Sequence, residues 1–293
     1  MTERLADISA RIDGIRQLGA VVNAMKGIAA ARAHVARGQV HAVDSFAATI
    51  AAAMSRIVSQ DAASEATSQA ASQAASRTAR GRGDAKPGVL AFGAEQGFAG
   101  AFSERVLDSI AAPIEPACLF VIGTRAASVA ISRGLDPFWT AAMPSRTLGI
   151  PKLADQVTTA IYGAVADGRI DRLDVVFTGW SSGRPVIVRR RLFPIDLADL
   201  PSASPDRPLT QIPDGALMDA LGEDWFNALV CRAALHAFAA ENEARMEAMS
   251  AAGAQIAREL ETFQARLRIV RQEAITAEII ELGAGAASAR GKG

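Results

Sequence analysis

What this chain of 293 residues lacks narrows its chemistry first. It has two cysteines, Cys118 and Cys231, far apart in sequence. They make no CxxC pair and no zinc spacing, so no disulfide framework or zinc site is expected, and both read as reduced, buried thiols. No charge of one sign is in excess, because 31 Lys plus Arg balance 31 Asp plus Glu. A dedicated nucleic-acid binder would carry a basic surplus, so no nucleic-acid partner is expected. No apolar run reaches the ~18 residues that a membrane span needs. The nearest, Ala42 to Val58, is broken by Asp44, Ser45 and Arg56. No basic, apolar and cleavage-site pattern opens the chain, so no signal peptide is expected. These absences predict a protein that is soluble, or held at a membrane only through partners.

Proline is missing from two long stretches, and both carry helical periodicity. Residues 3–58 place Leu5, Ile8, Ile12, Ile15, Leu18, Val22, Met25 and Ala29 at steps of three and four, which keeps one stripe on one helical face. Gly14, Gly19, Gly27 and Gly38 lower intrinsic helicity by up to about 1 kcal/mol each, so this helix needs a partner surface. The second proline-free stretch runs from Asp214 to about Leu282. In it Met246, Met249, Gly253, Ile256, Leu260, Phe263, Leu267, Val270, Ala274 and Ala277 follow a 3-4-3-4 spacing. That is an a/d heptad seam, flanked by charges such as Arg258, Glu259, Arg266 and Glu273. At 1.5 Å per residue the helix is roughly 100 Å long. Fraying is expected among the small residues from Gly283 onward.

Between these stretches the period changes. Residues 59–85 are Ser/Ala/Gln-rich and contain no large apolar residue, so they cannot offset their ordering entropy and read as a linker or a ragged continuation of the first helix. Residues 86–200 read as strands at 89–92, 117–122, 173–180 and 185–192, the last two joined as a hairpin by Ser181-Ser182-Gly183. Helices are predicted at 98–110, 123–131 and 150–165. Strands alternating with helices imply right-handed crossovers and a mainly parallel sheet, hence one small doubly wound α/β domain. Pro201, Pro205, Pro208 and Pro213 make 201–213 a stiff connector. The predicted architecture is α/β: a long antiparallel coiled coil of the terminal helices (1–58 and 214–293) with the α/β domain inserted between them.

No catalytic constellation emerges. The segment Gly93-Ala94-Glu95-Gln96-Gly97-Phe98-Ala99-Gly100 lies between a strand and a helix. It is neither GxGxxG nor GxxxxGK[ST], so its glycines read as a tight turn rather than a phosphate cradle. His34, His41 and His236 belong to no HExxH pattern, and no GxSxG elbow occurs. No cofactor, metal or catalytic residue is expected. A mechanical or interaction role fits best. A nucleotide-binding enzyme dimerised through its helices, or a coiled-coil adaptor, stand as alternatives.

Two segments carry a resemblance. Arg11-Ile12-Asp13-Gly14-Ile15-Arg16-Gln17, continuing to Asn23-Ala24-Met25-Lys26-Gly27-Ile28-Ala29-Ala30-Ala31-Arg32, resembles the opening helix of the γ subunit of F-type ATP synthases. Glu243 to Ala252 (EARMEAMSAA) resembles that family's ARMxAMxxA segment, and Arg271 to Glu281 with Gly285 and Ala286 its ARQxxITxEIxEIxxGA signature. The middle is looser: Ile122-Gly123-Thr124-Arg125 is similar to IGxKG, and Leu192-Phe193-Pro194-Ile195 to LLPL. The family's TDRGLCG is replaced by Ala94 to Gly100, and its usual Ala-Ser by Glu273-Ala274. Such departures are those of a divergent branch of the kind formed by the sodium-translocating N-ATPases.

The resemblance implies a rotor central stalk, peripheral at the cytoplasmic face of the inner membrane. Its coiled coil would enter the ring of α and β subunits, and its α/β domain would meet the ε subunit and the membrane c-ring. Position by position, it implies that Met25, Arg271, Gln272 and Thr276 contact β-subunit loops. Ile8, Ile12, Ile15, Met246, Met249, Ile256, Leu260, Phe263, Leu267 and Val270 would form the helix–helix seam.

Overall fold

The computed structural model describes residues 2–64, 86–110, 118–181, 184–195, 200–201 and 209–290. Most of the Ser/Ala-rich stretch (65–85), the hairpin residues Ser182 and Gly183, and 202–208 of the proline-rich connector lie outside the described residues. In chain order the elements are α1 (Thr2–Ser64), β1 (Pro87–Phe92), α2 (Phe102–Asp108), β2 (Cys118–Ile122), α3 (Thr124–Ser132), β3 (Trp139–Ala141), α4 (Ile150–Ala166), β4 (Arg172–Ser181), β5 (Arg184–Phe193) and α5 (Asp214–Arg290). The α1 backbone thus continues into the Ser/Ala-rich stretch, and that of α5 stays helical past Gly283 and Gly285. The chain divides into two compact units, residues 1–29 with 245–293, and residues 30–244.

The larger unit is built on a five-stranded sheet of order β3-β2-β1-β4-β5. β1 pairs parallel with both β2 and β4, β2 parallel with β3, and β4 antiparallel with β5. Alternation along the strands divides the core. Leu90, Phe92, Phe120, Ile122, Leu173, Val175 and Phe177 face one layer, packed with Ile150, Leu153, Val157 and Ile161 of α4 and Phe226, Val230 and Ala234 of α5. Val89, Ala91, Leu119, Val121 and Val176 face the other, covered by Val106 and Leu107 of α2 and Val129 and Ala130 of α3. Both faces of β1 and β2 are therefore buried, which is why the sequence shows continuous apolar runs there rather than alternation.

Helix ends in this unit follow from local chemistry. α4 opens with Pro151 in its first turn, where a missing N–H costs nothing. It closes on Gly168, whose φ of 64° lets Gly168 N–H reach Val165 O and Arg169 N–H reach Ala164 O. α3 closes the same way on Gly134, at φ 78°, with Leu135 N–H donating to Ala130 O. Both are Schellman closures, which favour glycine at the left-handed position. Two elements differ from the sequence expectation. The short edge strand β3 was not predicted, since three residues give too little pattern. The helix expected over 98–110 starts only at Phe102, because Phe98 and Gly100 take positive φ (62° and 59°) and make a turn instead.

The smaller unit is an antiparallel helix pair. Ile8 and Ile12 of α1 pack against Val270 of α5, with Leu5, Leu260, Phe263 and Leu267 completing the cluster. Further along the pair, Lys26 Nζ donates to Ser250 Oγ at 3.1 Å.

Candidate partner-binding surfaces

The glycine-rich turn after β1 is the first place to look for chemistry, because a strand-to-helix turn beside a helix N-terminus suits an anion. Here the protein supplies its own. Glu95 Oε2 accepts from Thr124 N–H (2.9 Å) and from Met143 N–H (2.8 Å), and Glu95 Oε1 accepts from the Thr124 hydroxyl (2.7 Å). The next two α3 amides are also taken: Arg125 N–H by Glu95 O and Ala126 N–H by Ala94 O. One carboxylate therefore caps α3 and ties the end of β1 to the segment after β3. The turn is braced further by Ala94 N–H donating to Ser103 Oγ (3.1 Å) and Gln96 N–H to Glu241 Oε1 of α5 (3.3 Å). The glycines make this close packing possible. A Cβ on Gly93 would lie 2.3 Å from Ala126 Cβ, and one on Gly123, at φ 109°, 2.6 Å from Ala94 O. The turn holds secondary elements together, and the place a phosphate would occupy is filled by Glu95. Sequence reasoning passed over Glu95, although an acidic residue inside a glycine loop is itself a signal against phosphate.

Two titratable groups of the α/β unit, the buried Glu243 and the partly buried His236, are packed against protein partners. Glu243 is buried and pairs with Arg37 at 2.6 Å; burial holds its pKa above the usual carboxylate value despite that partner. His236 stacks on Phe177 and has its pKa lowered, first by burial and then by Arg232. His34 and His41 are exposed. Burial pushes the Cys231 thiol up to about 11, with Asp155 adding to the shift, and raises Cys118 as well. Among the described residues no group of His, Cys, Asp or Glu is arranged to hold a metal ion, and no helix is long and apolar enough to cross a membrane.

In the helix pair, the residues expected on the seam fall on the inward side. Ile8, Ile12, Met249 and Val270 are buried; Ile15, Met246, Ile256, Leu260, Phe263 and Leu267 are partly buried. One residue of the α1 stripe does not join them: Leu18 is 54% exposed. Its expected position is taken by Gly19, where an added Cβ would sit 3.3 Å from Ile256 Cγ2. The buried stripe therefore runs Leu5, Ile8, Ile12, Ile15, Gly19, Val22, a regular 3-4 repeat in which a glycine receives an isoleucine. A small residue at a heptad position was the available signal. Met25 lies beside this stripe, partly buried. Arg271, Gln272 and Thr276 are exposed on α5, and Thr276 Oγ1 donates back to Gln272 O at 2.9 Å. Neither the Arg271 nor the Gln272 side chain has a partner within the chain among the described residues. Ile269, Ile275, Ile279 and Ile280 are likewise more than half exposed on this end of α5. An outer surface mixing bare isoleucines with uncommitted polar side chains is equipped for contact with other proteins rather than for chemistry.

Comparison with known proteins agrees with that reading. A family model described as ATP synthase matches residues 4–289. The ATP synthase γ chain of Moorella thermoacetica is 27% identical over 290 residues, spanning 96% of this chain and 98% of the relative. That of Frankia casuarinae is 25% identical over 301 aligned positions, spanning 98% of each. Among solved structures, the fold is similar to a chain of the Euglena gracilis mitochondrial ATP synthase rotor in rotational state 1 (TM-score 0.62, 12% identity, 94% of this chain and 100% of that one). It is also similar to one in the OSCP/F1/c-ring assembly in rotational state 3 (TM-score 0.65, 13% identity, 100% and 97%). With the match running over nearly its whole length, the chain belongs to the ATP synthase γ-subunit family.

Proposed function

We propose that this chain is the rotating shaft of an ATP synthase, coupling ion flow through a membrane ring to ATP synthesis or hydrolysis in a ring of α and β subunits. The observation that carries the reading is the division of labour on the helix pair. Its apolar seam is satisfied internally, while Arg271, Gln272, Ile275 and Ile279 face outward with no side-chain bonding partner among the described residues. In this reading Met25, Arg271, Gln272 and Thr276 meet β-subunit loops, and the seam residues keep the two helices from sliding under torque. The α/β unit would hold the ε subunit and the c-ring, placing the complex peripherally on the cytoplasmic side of the membrane. The chain itself would turn over no nucleotide; Glu95 occupying the α3 N-terminus supports that against a nucleotide-binding enzyme.

The test is affinity purification of the tagged chain from its native membranes. Recovery with α, β, ε and c subunits is expected, together with loss of ion-coupled ATP synthesis when the chain is truncated after Val270. Recovery without any of these subunits, or synthesis that survives the truncation, would rule the shaft out.

A further inference from the structure

Among the described residues the terminal strand β5 hydrogen-bonds to a neighbouring strand on one side only, β4. Its ten residues leave a long unpaired edge. Except for Val188, Leu192 and Phe193 the strand is exposed throughout. Soluble proteins guard such edges with charge, bulges or cover, because a free row of N–H and C=O groups invites another strand. Here the guard is uneven. Arg184 opens the strand and Arg189, Arg190 and Arg191 close it, while Pro185, Val186, Ile187 and Val188 between them carry no charge. Val186 and Ile187 are each 37% exposed, and Trp180, opposite Pro185, is 39% exposed. Asp174 is shared between Arg189 (3.0 Å) and Arg191 (3.7 Å) on one face of the hairpin. Among the described residues Arg184 and Arg190 have no carboxylate partner. A strand that only needed protection from aggregation would not leave Val186 and Ile187 at its centre uncharged and over a third exposed.

We propose that the free edge of β5 receives an extended segment of a partner subunit by strand addition, with apolar side chains against 186–188 and carboxylates against Arg184 and Arg190. Main-chain bonds would supply affinity, and the charge pattern would select an acidic partner. The identity of that partner as a subunit of the same complex rests on the rotor reading above.

Hydrogen exchange of the full chain, alone and within the purified complex, tests this. Alternate amides of an edge strand point away from its neighbour and exchange freely unless paired. Those among residues 186–191 should slow by about tenfold or more on assembly. The double variant Arg184→Glu with Arg190→Glu, whose isolated chain should melt like the wild type, should abolish the slowing and release one subunit at raised salt. Double Arg→Lys replacement should retain both. The inference is overturned if β5 exchanges equally in both states. It is also overturned if the isolated chain shows the slowing with rising concentration, which would mean a second copy. Slowing of the isolated chain on phosphatidylglycerol vesicles would mean a lipid surface, and would overturn it too. A complex that assembles with β5 unprotected sinks this inference alone; a chain recovered without any ATP synthase subunit sinks the rotor reading and this one together.

Discussion

The two compact units bury apolar surface in different ways. In the 30–244 unit each central strand buries both faces, and side chains such as Phe92, Phe120, Phe226 and Leu173 are shut off from solvent entirely. In the helix pair there is one seam, and most of its members, Leu260, Phe263 and Leu267 among them, stay partly exposed. A fully buried Phe or Leu contributes about 1.5–3 kcal/mol, and a half-buried one proportionately less. The α/β unit therefore holds most of the folding stability. The helix pair is closer to the limit where a two-helix contact persists only because its helices are long. Under the proposed shaft reading, support from a surrounding sleeve would remove the need for a self-sufficient core, and the outward isoleucines would be the surface through which it came.

The comparison sharpens under mutation. Phe120→Ala, at the centre of the sheet with its ring edge-on to Phe138, should cost about 3–5 kcal/mol and lower the main thermal transition. Unchanged melting would mean the core is elsewhere. Gly123→Ala should cost about 1–3 kcal/mol in the same transition, because alanine is strained at φ 109° and its Cβ meets Ala94 O. Leu267→Asp should cost about 1–3 kcal/mol, by setting a carboxylate in an apolar seam, and should do so locally. Amide protection should fall in the helix pair while the main transition holds. Phe263→Asp is the weaker version of this test, since the Arg11 guanidinium lies 5.2 Å from the Phe263 ring and would pair with the new charge. Loss of the main transition with Leu267→Asp would show the two units to be one cooperative block.

Smaller effects concern buried ionisable groups. The Glu243 pKa is raised above its ordinary 4.5, so folding favours its neutral form. The penalty is absent below pH 4.5 and grows as pH rises from there towards the raised folded value. Glu243→Gln, which carries no charge to bury, should match the wild type in acid and pull ahead of it above that range. Parallel stability–pH curves would show that Arg37 fully offsets the burial. The least effect is chemical. With Cys231 at about 11, only roughly a thousandth of it is thiolate at pH 8, so alkylation of the native chain should be far slower than in denaturant.

Much of this was legible in the residues, for reasons that differ by region. The apolar runs at 89–92 and 118–122 announced buried strands because a parallel sheet covered on both faces leaves little room for polar alternation, while Asp174 interrupts the apolar run of β4. The helical period of α5 was legible because heptad spacing is a direct consequence of helical pitch, and Leu260, Phe263, Leu267 and Val270 cluster with α1. Leu18 was misplaced because a count of apolar residues cannot see a glycine that serves as a hole for Ile256. The start of α2 was misplaced because Phe98 occupies a left-handed conformation that its side chain gives no reason to expect.

What the sequence determined by itself is what depends on neighbours along the chain: helical period, strand runs, and the absence of CxxC and HExxH patterns. Tertiary structure decided what depends on residues brought together from afar. Glu95 becomes a helix cap only because β1 ends beside α3 and the segment after β3. β5 becomes an edge only because no other strand among the described residues pairs with its far side. The outward face of α5 acquires its meaning only once the inward face has been used. Local periodicity is fixed by backbone geometry, whereas caps, edges and free faces are fixed by which distant segments fill the space beside them.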